Sequence, residues 1–426
     1  MATNPPSPSL NTLPPELLSN ILTYLPQKHY TFPLLLTNKR LYHFTLPHFW
    51  KSLESSPQER HTYLNTTKPS KHPKFGLRRL GDDIQKLYNN NIINEGDDIL
   101  GFRYLKHMIL WPSDLETRWS PWGDSGLFSV VSRQIAAGRV QLRAVEFILH
   151  REVSDEAYEF INTLKQYSKT WPQRLKITIH IPWSPHLVDF VTKNFRSEDI
   201  TDLRVHSDED IAAGGSGEGL ENAIDNIKRL TTLLQELPFL EVLDIEGPVG
   251  WQEYFPTVIQ PLLPELSRLQ NAVLGLKRVR ILYISGSLFH PSFFLIPPEN
   301  VRKLTITQEA SWEWWRKFSH CQFSKLEELT LRPEAVWNIS EWASPGDIDT
   351  MADREKDFLY RMEHLGLTTL KNLKADRWAS PNSVPVDFYD LVLANNPGLD
   401  EESRKFCEVM REYTKPTVSG RKIRKR

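Results

Sequence analysis

One hydrophobic pattern returns along most of this chain and constrains its fold more than any other feature. An apolar residue is followed by two variable positions, a second apolar residue, one variable position and a third apolar residue. It reads Leu105/Met108/Leu110, Leu142/Val145/Phe147, Ile200/Leu203/Val205, Leu240/Leu243/Ile245, Val279/Leu282/Ile284, Val301/Leu304/Ile306, Leu326/Leu329/Leu331 and Leu370/Leu373/Ala375. The last two apolar positions of each segment alternate as a short, half-buried strand does. Apart from the longer step between Leu142 and Ile200, successive segments lie roughly 22 to 44 residues apart, which leaves room for a helix between strands. Helical spacing fills several gaps: Ser154 to Tyr167 puts Ala157, Phe160, Ile161 and Leu164 on one face, Leu220 to Leu237 follows, and Val258 to Leu276 is interrupted by Pro261 and Pro264. Leu175 to Ile181 adds a strand that alternates Ile177, Ile179 and Ile181 without the full pattern.

A strand followed by a helix, repeated, can stack into a right-handed solenoid with a parallel sheet on its inner side. The segments resemble irregular leucine-rich repeats. A compact α/β domain whose parallel strands happen to read alike stays open as the alternative. The variable spacing, and the lack of the Asn that follows the strand in regular repeats, favour an irregular, insertion-rich form. Strand alternation sends the residues between the apolar positions to the opposite, concave face. The candidate target-binding residues there are His107, Ile109, Glu146, Arg204, His206, Asp244, Glu246, Tyr283, Lys303, Thr305, Glu328, Thr330, Arg332, Lys374 and Asp376. Their mixed signs suit a folded protein or peptide and give no continuous basic stripe for a nucleic acid.

The first fifty residues read differently. Pro14 and Pro15 suit a first helical turn, and Glu16 sets a negative charge near the positive end of the helix dipole. Leu17, Leu18, Ile21, Leu22 and Leu25 recur at helical spacing until Pro26 stops the run. Pro33 starts a second helix with Leu34, Leu35 and Leu36. Thr37 or Asn38 caps a third with Leu41, Tyr42 and Phe44 on one side, and Pro47 is expected to end it. A unit of about 40 residues has too little interior to be stable alone, so some of its apolar surface needs a partner.

This order of residues, from Leu13-Pro14 through Leu36-Thr37-Asn38-Lys39-Arg40-Leu41 to Trp50, resembles an F-box. The arrangement of an F-box followed by irregular leucine-rich repeats is similar to that of many fungal F-box proteins. The resemblance implies a link between the small adaptor subunit of cullin-RING ubiquitin ligases and a substrate. Leu13, Pro14, Ile21 and Leu25 match positions that face the adaptor, Leu36 and Leu41 match later hydrophobic contacts, and Trp50 matches the closing aromatic that packs inside. The expected class is therefore α/β: an all-helical F-box at 11–53, then an irregular leucine-rich-repeat-like solenoid with a parallel sheet at 101–400. Residues 1–10 read as a disordered N-terminus, 54–100 as a connector with helix around Ile84 to Leu87, and 401–426 as a C-terminal helix and basic tail. The implied function is a non-enzymatic substrate receptor of such a ligase, with an unknown protein substrate. An F-box scaffold acting outside a ubiquitin ligase is the alternative.

Composition excludes some classes of partner. A formal net charge of -1 and a pI near 6.9 give no global attraction to nucleic acid or anionic membrane. Two cysteines, Cys321 and Cys407, cannot supply a disulfide framework, and no apolar leader follows Met1, so a cytoplasmic or nuclear location is expected. The sequons at Asn65 and Asn338 are then expected to be inert. No apolar run is long enough for a membrane span.

Motifs for chemistry fall short. The glycine-rich 214–219 stretch lacks a following Lys-Ser/Thr, and Asp208, Glu209 and Asp210 beside it would repel a phosphate. Adjacent His320 and Cys321 rarely face one another, and no third group orients them. Neither Cys-x-x-Cys nor His-x-x-x-His occurs, so no metal site and no cofactor are expected. Trp111, Trp119 and Trp122, and Trp312, Trp314 and Trp315, read as packing beneath loops, with a ligand-facing role for one of them as the alternative. The basic run from Arg421 to Arg426 reads as a solvated tail; nuclear import is the other reading.

Overall fold

The computed structural model describes residues 13–24, 34–37, 39–54, 102–115, 127–206, 218–247, 259–285, 295–306, 318–331, 364–375 and 387–414. The chain divides into two compact units: Met1–Ile181 with Phe190–Ile200, and Pro182–Asp189 with Thr201–Arg426.

The first unit opens with helix α1 (Pro15–Tyr24), whose first turn carries Glu16. Leu18 and Leu22, one turn apart, face inward and are buried. Residues 34–37 form one helical turn, and α2 (Lys39–Trp50) buries Leu41, Thr45, Leu46 and Phe49. Pro47 lies inside α2 and does not end it, contrary to the sequence expectation. Proline there forfeits one backbone bond near the C-terminal end, while buried Leu46 and Phe49 on either side hold the last turn in place. Arg40 donates to the Leu13 carbonyl at 2.7 Å, and Ser19 Oγ lies 3.4 Å from His48 Nε2, so α1 and α2 are tied at two points.

Trp50 stacks obliquely on buried Phe102, ring centroids 5.6 Å apart, and the chain passes directly into strand β1 (Ser52–Glu54). β1 pairs in parallel with β2 (His107–Leu110), β2 with β3 (Ala144–Ile148), and β3 with β4 (Lys176–Pro182). The register sets Met108, Val145 and Ile177 on one rung and Leu110, Phe147 and Ile179 on another, all buried. β1 escapes sequence reading because three residues are too few to show alternation.

Helices α3 (Pro112–Leu115), α4 (Leu127–Ala136) and α5 (Asp155–Tyr167) connect these strands. Ser154 caps α5 by accepting from the Ala157 amide, with Asp155 and Glu156 in the first turn and Lys165 in the last. Phe128 of α4 meets Phe160 of α5 at 5.2 Å, and Phe147 meets Phe160 at 6.5 Å and Phe195 at 5.0 Å. The apolar face of these strands is thus the helix-covered face. Asp199 is buried: its carboxylate accepts from Ser168 Oγ at 3.2 Å, and burial raises its pKa above the ordinary value against the pull of Arg196. Helix α6 (Pro185–Asn194) is shared between the units. Neither α4 nor α6 is foreseen from sequence, their apolar positions being mixed with Ser, Thr and Arg.

The second unit repeats the scheme. β5 (Ile200–His206), β6 (Val242–Glu246), β7 (Ile281–Ser285), β8 (Lys303–Ile306), β9 (Glu328–Leu331) and β10 (Asn372–Ala375) pair in parallel in sequence order. One rung runs Leu203, Leu243, Leu282, Leu304, Leu329, Leu373, and the next Val205, Ile245, Ile284, Ile306, Leu331, Ala375. Each repeat contributes its second and third apolar positions to the same two rows. The first positions, from Leu240 to Leu370, are buried as well. Helices α7 (Glu218–Gln235) and α8 (Ile259–Leu274) fill two of the connections, α8 accommodating Pro264. The Arg229 guanidinium of α7 bonds Asp189, and Asp225 at 2.8 Å, while the Trp183 indole donates to the Glu246 carbonyl.

An exposed strand edge invites further pairing. In β10 it is closed by α9 (Phe388–Asn395) and α10 (Glu401–Thr414). The Leu370 amide donates to Asn396 Oδ1 at 2.8 Å, and the Leu373 amide to Ser403 Oγ at 2.9 Å. Asn396 and Ser403 are themselves buried, which is why polar side chains stand at these positions. Nearby, the Phe323 amide donates to the Gly366 carbonyl, and a Cβ at Gly366 would lie 2.0 Å from the Cys321 carbonyl oxygen. Only glycine permits that approach.

Both units are α/β with every described strand pairing parallel. Among the described residues no helix is long and apolar enough to cross a membrane.

Candidate functional site

Two kinds of surface concentrate unsatisfied chemistry. The first lies on the N-terminal helices. Leu17, Ile21 and Tyr24 follow one another at i, i+4 and i+7 on α1 and are 49%, 38% and 85% exposed; Leu36 is 73% exposed. The same helix thus has one apolar stripe packed through Leu18 and Leu22 and another facing solvent. Of the adaptor-facing positions read from sequence, Pro14, Ile21 and Leu36 are exposed, Leu13 is half-buried, and Leu41 is buried against the helices at 3% exposure. Leu41 therefore supports the unit and offers little to a partner in this conformation. Leu25 lies outside the described residues. Leu17 and Tyr24 are not among those positions, although their spacing from Ile21 is a readable signal.

The second surface is the strand face opposite the helices. In the second unit the register aligns Arg204, Asp244, Tyr283, Thr305, Thr330 and Lys374 as one rung. A neighbouring rung carries Asp202, Lys303, Glu328 and Asn372, and His206 and Glu246 stand at the C-terminal ends of β5 and β6. Lys303 Nζ meets Glu328 Oε2 at 2.9 Å, and Lys371 meets Glu327 at 3.4 Å. The hydrogen bond to Glu328 holds the Lys303 ammonium above its ordinary pKa. Thr305 departs from expectation: a short side chain beside Tyr283 in the rung, it is buried. Arg332 and Asp376 lie outside the described residues.

In the first unit Ile109, Glu146 and Thr178 share a rung, and His107, Ala144 and Lys176 the one before it. Glu146 Oε1 lies 2.7 Å from His180 Nε2, an ion pair whenever the imidazole is protonated. Thr178, His180 and Asp202 belong to these faces but were not read from sequence, since β4 lacks the full pattern and Asp202 precedes the residues selected on β5. Lys106 and Arg143 are likewise outside the set read from sequence, although each directly follows the first apolar position of its segment.

The remaining candidates are placed by burial. Cys321 is half-buried and its thiol is pushed above the ordinary value by desolvation, the reverse of an activated nucleophile; His320 is exposed. The buried Cys407 thiol is pushed up to about 12. Trp111 and Trp183 are buried and serve packing. Trp119, Trp122, Trp312, Trp314 and Trp315, the 214–217 part of the glycine-rich stretch, the sequons and the basic tail lie outside the described residues. Among the described residues no cluster of His, Cys, Asp and Glu is placed to hold a metal ion. No family model matches this sequence, and no curated protein is significantly similar to it.

Proposed function

We propose that this protein is a non-catalytic substrate receptor of a cullin-RING ubiquitin ligase, docking on the adaptor subunit through α1, the 34–37 turn and α2, and holding a protein target on the outer face of its strands. The observation that carries this reading is the doubled apolar character of α1. Leu18 and Leu22 are already packed, so Leu17, Ile21 and Tyr24 are surplus to the fold, and with Leu36 they form the kind of exposed hydrophobic surface that marks a protein interface. The F-box resemblance names the partner. The irregular leucine-rich-repeat reading of the strands supplies a separate, mixed-charge surface for the target.

The test uses purified adaptor. Each such side chain buried at an interface is worth roughly 1.5 to 3 kcal/mol, so replacing Leu17, Ile21 and Leu36 together with Ala is expected to abolish adaptor binding. Because these side chains are exposed, circular dichroism and thermal unfolding of the variant should match the parent protein. Undiminished binding by a folded triple variant overturns the assignment. Adaptor binding without co-purification of cullin favours a scaffold acting outside a ligase.

A further inference from the structure

At the N-terminal ends of β1, β2 and β3, cations stand side by side on adjacent strands. Lys51 directly precedes β1, Lys106 directly precedes β2 and Arg143 directly precedes β3. The backbone locks them level with one another: the Lys106 and His107 amides both donate to the Lys51 carbonyl at 3.0 Å, and the Arg143 and Ala144 amides donate to the Lys106 carbonyl at 2.7 and 3.1 Å. Neighbouring strands are about 4.8 Å apart, so three positive side chains rise from a row only about 10 Å long. His107 stands beside them on β2, and His48 on the last turn of α2.

Elsewhere on the strand faces some charges find partners across strands, as Lys303 does in Glu328 and His180 in Glu146. Among the described residues none of Lys51, Lys106, His107 and Arg143 has an ion pair; Lys106 Nζ reaches only the Gln141 carbonyl, at 3.3 Å. The groups work against one another. Lys106 is held below its ordinary pKa by burial and by Arg143, His107 by burial, Lys51 and Arg143, and His48 by burial and Lys51. Like charges fixed side by side weaken a sheet, and an arrangement that disfavours the free protein is relieved by an anion laid across it.

We infer that the Lys51–Lys106–Arg143 row is a docking site for an acidic segment of a protein partner, a run of Asp and Glu side chains crossing the strand ends. The short row favours a peptide over a nucleic acid, whose regular phosphates need cations over a longer track. Glu146, three residues beyond Arg143 along β3, would repel such a backbone. As a statement of target class the inference rests on the receptor reading; as a statement about anion binding it does not.

The experiment titrates the full-length protein with a fluorescent twelve-residue peptide of Asp and Glu, with its Asn/Gln counterpart, and with a single-stranded oligonucleotide of equal charge. Binding of the acidic peptide that weakens with salt is expected, with the Asn/Gln peptide inert and the oligonucleotide weaker. Replacing Lys51 and Arg143 with Gln, both being exposed, should cost roughly three- to tenfold in affinity and leave folding intact. The His107 ring, followed by NMR, should titrate at higher pH when the peptide is bound, a change that nonspecific attraction elsewhere on the surface would not produce. Equal binding by the Gln variant, equal binding of the neutral peptide, or tighter binding of the oligonucleotide overturns the proposal. Adaptor capture measured on the same preparation keeps failure here distinct from failure of the receptor reading.

Discussion

The outer strand faces of the two units are built on the same kind of parallel register but differ in how their charges are paired. In the second unit Lys303 is bonded to Glu328 on the next strand, and Lys371 to Glu327. In the first, Lys51, Lys106 and Arg143 line up with no carboxylate between them among the described residues, and Glu146 sits further along β3 against His180. Parallel in-register stacking forces equivalent positions of successive repeats into rows, so a repeated residue type becomes a stripe. Alternating types neutralise themselves, whereas a recurring cation concentrates charge.

Breaking the shared register should have the largest effect. Leu304→Asp places a carboxylate in the middle of the buried leucine rung and is expected to destabilise the protein by at least about 3 kcal/mol, with cooperative loss of structure on mild heating. The same change at an outer-face position such as Lys374 should leave the melting temperature nearly unchanged. Equal effects at the two positions would mean that the two faces are wrongly distinguished.

Gly366→Ala comes next. The added Cβ would strike the Cys321 carbonyl rather than a movable side chain, and a loss of about 1 to 3 kcal/mol is expected in denaturant unfolding.

Charge reversal then separates the units by sign. Arg143→Glu should raise the melting temperature of the free protein by about a degree, by interrupting a like-charge row, while Lys303→Glu should lower it by a similar amount, by setting like charges on neighbouring strands. Both shifts should shrink in high salt. Changes of the same sign would show the charge contrast to be without energetic content.

The smallest effect is a dependence on pH. His48 and His107 have folded pKa values below the ordinary 6.5, so the unfolded chain binds more protons as pH falls through that value. Their share of stability is therefore full above about pH 6.5 and is lost on acidification through the folded values. His107→Gln should flatten the stability profile between pH 7 and pH 5; an unchanged profile would remove His107 from the coupled group.

The repeats were legible because each demands burial at the same three places, and a period-two alternation survives in four or five residues. Ser154 was legible as the start of α5 because a hydroxyl before two acids and an apolar stripe can do little else so well. Pro47 misled, because its local cost is set against the burial of Leu46 and Phe49, which sequence does not display. α4 and α6 are not legible because their apolar residues meet partners distant in the chain, Phe128 on Phe160 and Phe190 on Tyr158.

The sequence by itself determined the strands from β2 to β10, their inward residues and the need of the N-terminal helices for a partner, since these follow from local periodicity and from the poverty of interior in a small helical unit. Tertiary structure alone decided which charges become neighbours. Lys51 and Lys106 are 55 positions apart in the chain (106 − 51), and only the parallel pairing of β1 with β2 brings them level. It also decided that Leu41 and Thr305 are covered, and that the last edge is closed by Asn396 and Ser403. Burial and electrostatics depend on distances in space, and those are fixed by hydrogen-bond register between strands rather than by the spacing of residues along any one of them.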